Sequence, residues 1–345
     1  MTPLLLERGS AGALSPGLVL AQDVRGQDGK VALGKGRVLS EADVRLLHDL
    51  PWSELHLVAI EPGDVHEDEA GRRLAHAAAG EGVQVQPLAG GAWPLHARHR
   101  GILHIDPRLA EVNELADIVV YTLPHHHIVL AGELLGRAKI VPFVTAEARV
   151  RAAELVAAST HGLLRVKPFL PTRVAAVVQE SLDPAQLQRF RAALEEKLAF
   201  FGSQLLSVEV VPKDPAQLAA ALTRALAAGA QLALVAGSKP MDPLDPALQG
   251  LLLAGARLEM HGVPVHPGTL LWLAWLDGAP VVGMPSCGLF SKATVLDLLL
   301  PRLLAGERLS RSSLAALGSG GLLTRDALHR FPPYRPSKNR GELDG

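Results

Sequence analysis

Two kinds of apolar segment take turns between residues 172 and 306. Short runs rich in Val, Ala and Leu, at 173–178, 204–211, 231–236, 257–261 and 281–283, read as strands. Longer segments with helical spacing separate them, at 184–201, 215–228, 246–254 and 291–304, and Gly202, Gly229 and Gly306 stand just past three of these. The alternation predicts a doubly wound, mostly parallel α/β sheet with helices on both faces.

The first 165 residues are less regular. A helix is expected over 41–50 behind the N-cap Ser40, then a strand at 54–60 and a turn at Pro62-Gly63. Residues 66–79 have helical spacing with acidic residues in the first turn, which suits the positive end of a helix dipole. A Gly-rich loop with a short strand follows at 80–91, then strands at 102–105, 118–122 and 140–144. This is the pattern of a smaller N-terminal α+β region, and a helix at 146–158 connects it onward. The expected organisation is therefore 1–165, 170–310 and a weakly ordered tail at 311–345, which turns Ser/Gly-rich and then Pro-rich and charged.

Charge narrows the function classes. Lys+Arg number 34 against Asp+Glu 35, a net charge of −1, and no basic run with interleaved aromatics appears, so a nucleic-acid partner is not expected. The single cysteine, Cys287, excludes an intramolecular disulfide framework and a Cys-rich zinc site. Charge follows at once on the Leu4-Leu5-Leu6 run, unlike a signal peptide, and no apolar stretch approaches the ~18 residues of a membrane span. A cytoplasmic protein with no membrane partner is the expectation.

Loops that leave the carboxyl ends of parallel strands converge on one crevice, where open α/β sheets bind ligands. The first, Gly237-Ser238-Lys239-Pro240-Met241-Asp242-Pro243-Leu244-Asp245, enters a helix at Pro246. Asp245 then reads either as an N-cap in a Pro-stiffened turn or as part of an anion cradle at the helix N-terminus. In the second reading Lys239 supplies a charge, and Asp242 or Asp245 holds a metal ion. The second loop, 262–269, is stiffened by Pro264 and Pro267, and His266 before Pro267 is pushed extended. A structural histidine is the competing account. The third loop, 283–288, offers backbone N–H groups and Ser286, and Cys287 reads as a small buried filler.

Two N-terminal clusters also carry ligand chemistry. Asp64-Val65-His66-Glu67-Asp68-Glu69 could bind a divalent ion, but it also reads as a solvated helix start. His125-His126-His127, after Leu123-Pro124, reads as a turn tip with at most adventitious metal affinity.

Residues 170–306 resemble the molybdopterin-binding domain shared by molybdopterin molybdotransferases, molybdopterin adenylyltransferases and the gephyrin E-like proteins. The residues that carry the resemblance are Gly237-Ser238 with Asp245, His266-Pro267-Gly268, and Gly283-Met284-Pro285-Ser286. Residues 15–23 and 36–47 are similar to the opening domain of molybdotransferase-like proteins, and 63–70 looks like a segment in a divergent branch of them. That branch is sometimes fused to a cofactor nucleotidyltransferase domain. The resemblance implies molybdopterin and Mg²⁺ as cofactors, molybdate as co-substrate, and a homodimer. It also implies a molybdoenzyme or cofactor nucleotidyltransferase as partner. Gly237, Ser238, Lys239, His266, Gly268, Thr269, Pro285 and Ser286 would bind the cofactor, with Asp245 and Asp242 catalytic and Asp245 on the metal.

The chain departs from that family in several places. The tail at 311–345 is too short for the usual C-terminal β domain. The first loop has Gly237-Ser238 where the family has a double glycine, and His266 stands for its lysine. Binding of a pterin survives these changes better than metal insertion does. Three functions follow: a molybdotransferase-like enzyme, a non-catalytic carrier or sensor of the cofactor, and, furthest off, a nucleotide amidohydrolase of the competence-damage-inducible type.

Overall fold

The computed structural model describes residues 1–88, 91–284, 294–324, 331, 332 and 334, without the side chains of 10–12. The chain forms two compact units, Met1–Lys167 and Pro168–Gly345.

The first unit is a mixture of small sheets and helices. Its chain order opens with β1 (Thr2–Glu7), β2 (Val19–Leu20), β3 (Val24–Arg25), β4 (Val31–Leu33), α1 (Glu41–Asp49) and β5 (Glu54–Ala59). It continues with β6 (Asp64–His66), α2 (Glu67–Ala78), β7 (Val83–Val85), β8 (Trp93–Ala97), β9 (Gly101–Ile105) and α3 (Leu109–Glu114). It closes with β10 (Ile118–Thr122), β11 (Ile128–Val129), β12 (Leu134–Ile140), β13 (Val144–Ala146), α4 (Glu147–Ala158) and β14 (Leu164–Pro168).

Strands assemble as β1-β5-β2, β10-β12-β8-β7, β11-β9-β14, β13-β6 and β3-β4. Ser40 caps α1 in a capping box with Asp43, as the sequence suggested. One core gathers Leu20, Leu39, Leu47, Leu55 and Leu57 around α1. A larger one gathers α2 and α4 against β12 through Leu74, Ala138, Ile140, Val150 and Ala153. The strand expected at 140–144 instead ends at Ile140, and the chain bends before β13. The strand itself lies upstream, where Arg137 and Lys139 alternate with buried Ala138 and Ile140. Its two cations hid the alternation.

The second unit follows the alternating pattern, with β15 (Arg173–Val178), α5 (Pro184–Phe200), β16 (Gln204–Val210), α6 (Pro215–Ala227) and β17 (Leu232–Ala236). After these come α7 (Pro246–Leu253), β18 (Arg257–His261), β19 (Trp272–Leu276), β20 (Ala279–Met284), α8 (Val295–Leu304) and α9 (Arg311–Ala315). The six strands form one mixed, mostly parallel sheet in the order β16-β15-β17-β20-β19-β18. β16, β15, β17 and β20 are parallel neighbours, and β19 is antiparallel to both β20 and β18. The β15 and β17 strands are buried almost throughout, so both faces of the sheet are covered. α6 and α7 cover one face, packing Leu218, Leu222 and Leu251 on Val177, Val235 and Val281.

The sequence reading missed β19. It is fully apolar, and it joins β20 by a two-residue hairpin at Asp277-Gly278, both at positive φ. Asp-Gly between two apolar runs is a strong signal for such a turn. Part of the region expected as a weakly ordered tail, 311–324 with 331, 332 and 334, is among the described residues. That part opens with α9, and the half-buried Tyr334 donates its hydroxyl to Asp297.

Candidate functional site

Two antiparallel steps restore a strand's direction, so β18 runs the same way as β20. The register shows the consequence: Val178 pairs with Ala236, Ala236 with Met284, Gly283 with Trp272, and Trp272 with His261. The strands β17, β18 and β20 therefore end at one edge of the sheet, the carboxyl edge of its parallel strands.

The described loops are stitched together at that edge. Trp272 Nε1–H donates to Ser238 Oγ (3.0 Å), joining the first loop to the end of the second. Val295 N–H donates to Pro267 O (3.3 Å), joining the second loop to the first turn of α8. A Cβ at Gly268, where φ is +116°, would stand 2.5 Å from Val295 Cγ1, so only glycine allows that approach. Pro285, Ser286, Cys287 and Gly288, with the backbone N–H groups of 286–288, lie outside the described residues.

Asp245 is the hub of the first loop. Its Oδ1 accepts from the backbone N–H of Ala247 (2.9 Å) and Leu248 (3.1 Å) and from Ser238 Oγ–H (3.2 Å). Its Oδ2 accepts from Lys239 N–H (2.5 Å). Asp245 and Ser238 are each 3% exposed. A carboxylate thus occupies the place at the α7 N-terminus where a bound phosphate would otherwise sit. Of the backbone N–H groups expected to cradle an anion there, that of Lys239 is already committed to Asp245. The same geometry bears on Mg²⁺, which needs near-octahedral oxygen ligands at about 2.0–2.1 Å. Four hydrogen-bond donors around one carboxylate are a shell for an anion, so these residues do not fit the cation.

Asp242 is exposed and caps its own turn, its Oδ1 accepting from Leu244 N–H (2.9 Å). Gly237 sits at φ +95°, and a Cβ would meet Glu180 Cγ at 2.4 Å. Its positive φ allows close packing on Gln179 and Glu180, just past the end of β15. Thr269 Oγ1–H is spent on Val265 O (2.9 Å). His266 has an exposed side chain, while its backbone pairs with Gly321 and Leu323. Lys239 is likewise exposed. Both side chains named for the ligand phosphate are thus presented at the surface.

Trp272 was not among the expected site residues. A Cβ at Gly283 would stand 1.8 Å from its ring, so the fully buried indole lies directly on the Gly283 backbone. Ser238, Trp272 and Gly283 are matched to one another, which explains a serine and a glycine at those two positions.

The N-terminal clusters resolve differently. In 64–69 the groups are distributed among local partners. Asp64 pairs with the N-terminus (2.5 Å), Glu69 with Arg72 (2.7 Å), and His66 donates from Nε2 to Gly36 O (2.8 Å). This is the helix-start reading. Of the three consecutive histidines, His127 lies beside Glu133 (3.9 Å), while His125 and His126 meet His104.

No family model and no curated protein matches the chain. Among solved structures it is similar to the molybdopterin biosynthesis MoeA protein of Pyrococcus horikosii, at 12% identity over 75% of this chain and 81% of that one, TM-score 0.30. A molybdenum cofactor biosynthesis protein of Pyrococcus furiosus gives 13% identity over 88% and 63%, TM-score 0.24. The CinA protein of Thermoplasma acidophilum, described as of unknown function, gives 15% over 34% and 89%, TM-score 0.28. Molybdenum-cofactor biosynthesis proteins are thus among the structural neighbours, at low similarity. The chemistry of the site has to be read from its own residues.

Proposed function

We propose that this protein binds a molybdopterin-type ligand, a phosphorylated pterin, at the carboxyl edge of the six-stranded sheet and holds it without inserting metal. The observation that carries this reading is the shared edge: β17, β18 and β20 all end at it, and the residues that resemble the molybdopterin-binding domain follow or close those strands in the same order. Lys239 and His266, exposed on two of these loops, supply the charge for the ligand phosphate. Asp245 shapes the first loop from beneath and does not reach the ligand.

The enclosure of Asp245 favours a carrier or sensor over a molybdotransferase, whose aspartate would have to handle metal. A molybdoenzyme or a cofactor nucleotidyltransferase would then receive the ligand. In this reading the sheet is doubly wound. Ala176, Val178, Leu234 and Val282 alternate away from α6 and α7 yet are buried, and α5 with α8 supplies their cover. Titrating the purified full chain with molybdopterin, then adding Mg²⁺ and molybdate, tests the function. Saturable binding with no molybdenum retained on the pterin is expected. Molybdenum insertion would return the protein to the molybdotransferases, and absence of binding would remove the pterin altogether.

A further inference from the structure

The first unit holds a constellation that the carboxyl edge does not use. β9 pairs with β11 through Ile102 and Ile128, and the ladder continues into the preceding turn. Leu103 N–H donates to His127 O (2.8 Å), and His126 N–H donates to Leu103 O (2.8 Å). Ile105 N–H donates to His125 Nδ1 (2.9 Å). The turn is closed on itself by His127 N–H to Pro124 O (3.1 Å). It is therefore held against the strand that carries His104.

His126 takes a left-handed backbone, φ 65°. Successive side chains of an extended strand point to opposite sides. Here the rings of His125 and His126 lie on the same side, with centroids 3.7 Å apart. The His104 ring stands edge-on to both, at 5.4 and 5.3 Å. One ring nitrogen from each of the three falls within 4.8 Å of the others.

From this geometry we propose that His104, His125 and His126 form a binding site for a late first-row divalent metal ion such as Zn²⁺. Three neutral imidazoles are the ligand set that such ions prefer, and there is no carboxylate among them to favour Mg²⁺ or Ca²⁺. Nitrogens on a tetrahedral ion at about 2.0–2.1 Å stand roughly 3.4 Å apart, so small side-chain rotations close the set. Water completes the coordination on the side of exposed His125.

Loading disturbs the contact between His125 and Ile105. With Nδ1 of His125 accepting from Ile105, its Nε2 bears the ring proton. An ion must either take the Nδ1 lone pair or, after a proton shift to Nδ1 or a turn of the ring, bind in its place. Either way the Ile105 amide loses its present acceptor, exchanged against three metal–nitrogen bonds.

The full chain, purified without a histidine tag and stripped with a chelator, is titrated with Zn²⁺ against a chromophoric competitor. One ion per chain is expected, with a dissociation constant of roughly 1 µM or tighter. Groups that merely orient a ligand are worth about 10–100-fold in metal affinity, so loss of a ligand in His104→Gln or His126→Asn should weaken binding by more than about 100-fold. Asparagine tolerates the left-handed backbone at 126, so that variant keeps the turn, and circular dichroism checks that each variant folds. His127→Gln should bind as the parent does. The Ile105 amide resonance should shift on loading in the parent and not in His126→Asn. Binding unaltered in both variants, or shared weakly among several of the 14 histidines, would mean an adventitious ion only and would overturn the site.

Discussion

Asp245 shows how one residue type can carry two opposite readings. Asp183, Asp214 and Asp245 each precede a proline that opens a helix, and each accepts hydrogen bonds from that helix's first turn. Read together, the three Asp-Pro pairs are a repeated device for starting helices: carboxylate at the N-cap, fixed φ at the first position. Asp245 differs in being buried and in also holding Ser238 and Lys239. Asp245→Ala should therefore lower stability by about 2 kcal/mol, beyond the ~1 kcal/mol of an ordinary cap, as read by urea unfolding. An unchanged midpoint would contradict the role. Gly283→Ala would drive a methyl into the Trp272 ring and should destabilise by about 3 kcal/mol or more, whereas Trp272→Phe, which mainly loses the Ser238 bond, should lose about 1–2 kcal/mol. Equal effects in a thermal melt would mean that the indole is not wedged there.

At the scale of elements, the strands and helices of the second unit were legible because their apolar runs and Asp-Pro and Gly boundaries agree. β19 was not, because 272–276 was assigned to no element, although Asp277-Gly278 marks its hairpin. In the first unit β12 was obscured by Arg137 and Lys139 on its open face. Of the histidine cluster only the run 125–127 could be read, since His104 is brought to His125 and His126 only by strand pairing. The site loops could be placed on one edge from sequence, but not the way Asp245 and Trp272 fill the space between them. Helix-to-helix contacts of charge were equally hidden. Lys197 on α5 and Asp297 on α8 form an ion pair (2.5 Å) with both groups buried, and Tyr334 adds a hydrogen bond (2.6 Å). Burial, then the Asp297 charge, pushes the Tyr334 phenol well above its ordinary range. Lys197→Met leaves Asp297 without its cation and should cost about 3–5 kcal/mol in urea unfolding. A loss below about 1 kcal/mol would show that the pair is not buried in solution.

For the whole molecule, charge is balanced, and among the described residues no helix is long and apolar enough to cross a membrane. Its response to acid should come partly from Asp43. The Arg37 guanidinium first, then the Ser40 amide and hydroxyl, hold that carboxyl at about 2, against 3.8 ordinarily. Its stabilisation is thus fully present above pH 3.8 and is lost as the pH falls through about 2. Asp43→Asn should be less stable than the parent by about 1 kcal/mol at neutral pH, and the two should converge as acid protonates Asp43. A gap that stays constant down to pH 2 would assign the effect elsewhere.

The central claim concerns the sheet edge, and calorimetric titration of the parent and of Lys239→Met with molybdopterin tests it most directly. Saturable one-to-one binding by the parent, weakened by about tenfold or more in the variant, is expected, since loss of one charge-assisted contact is worth about 1.5–3 kcal/mol. Equal affinity in the two proteins, or no heat of binding in either, would contradict it.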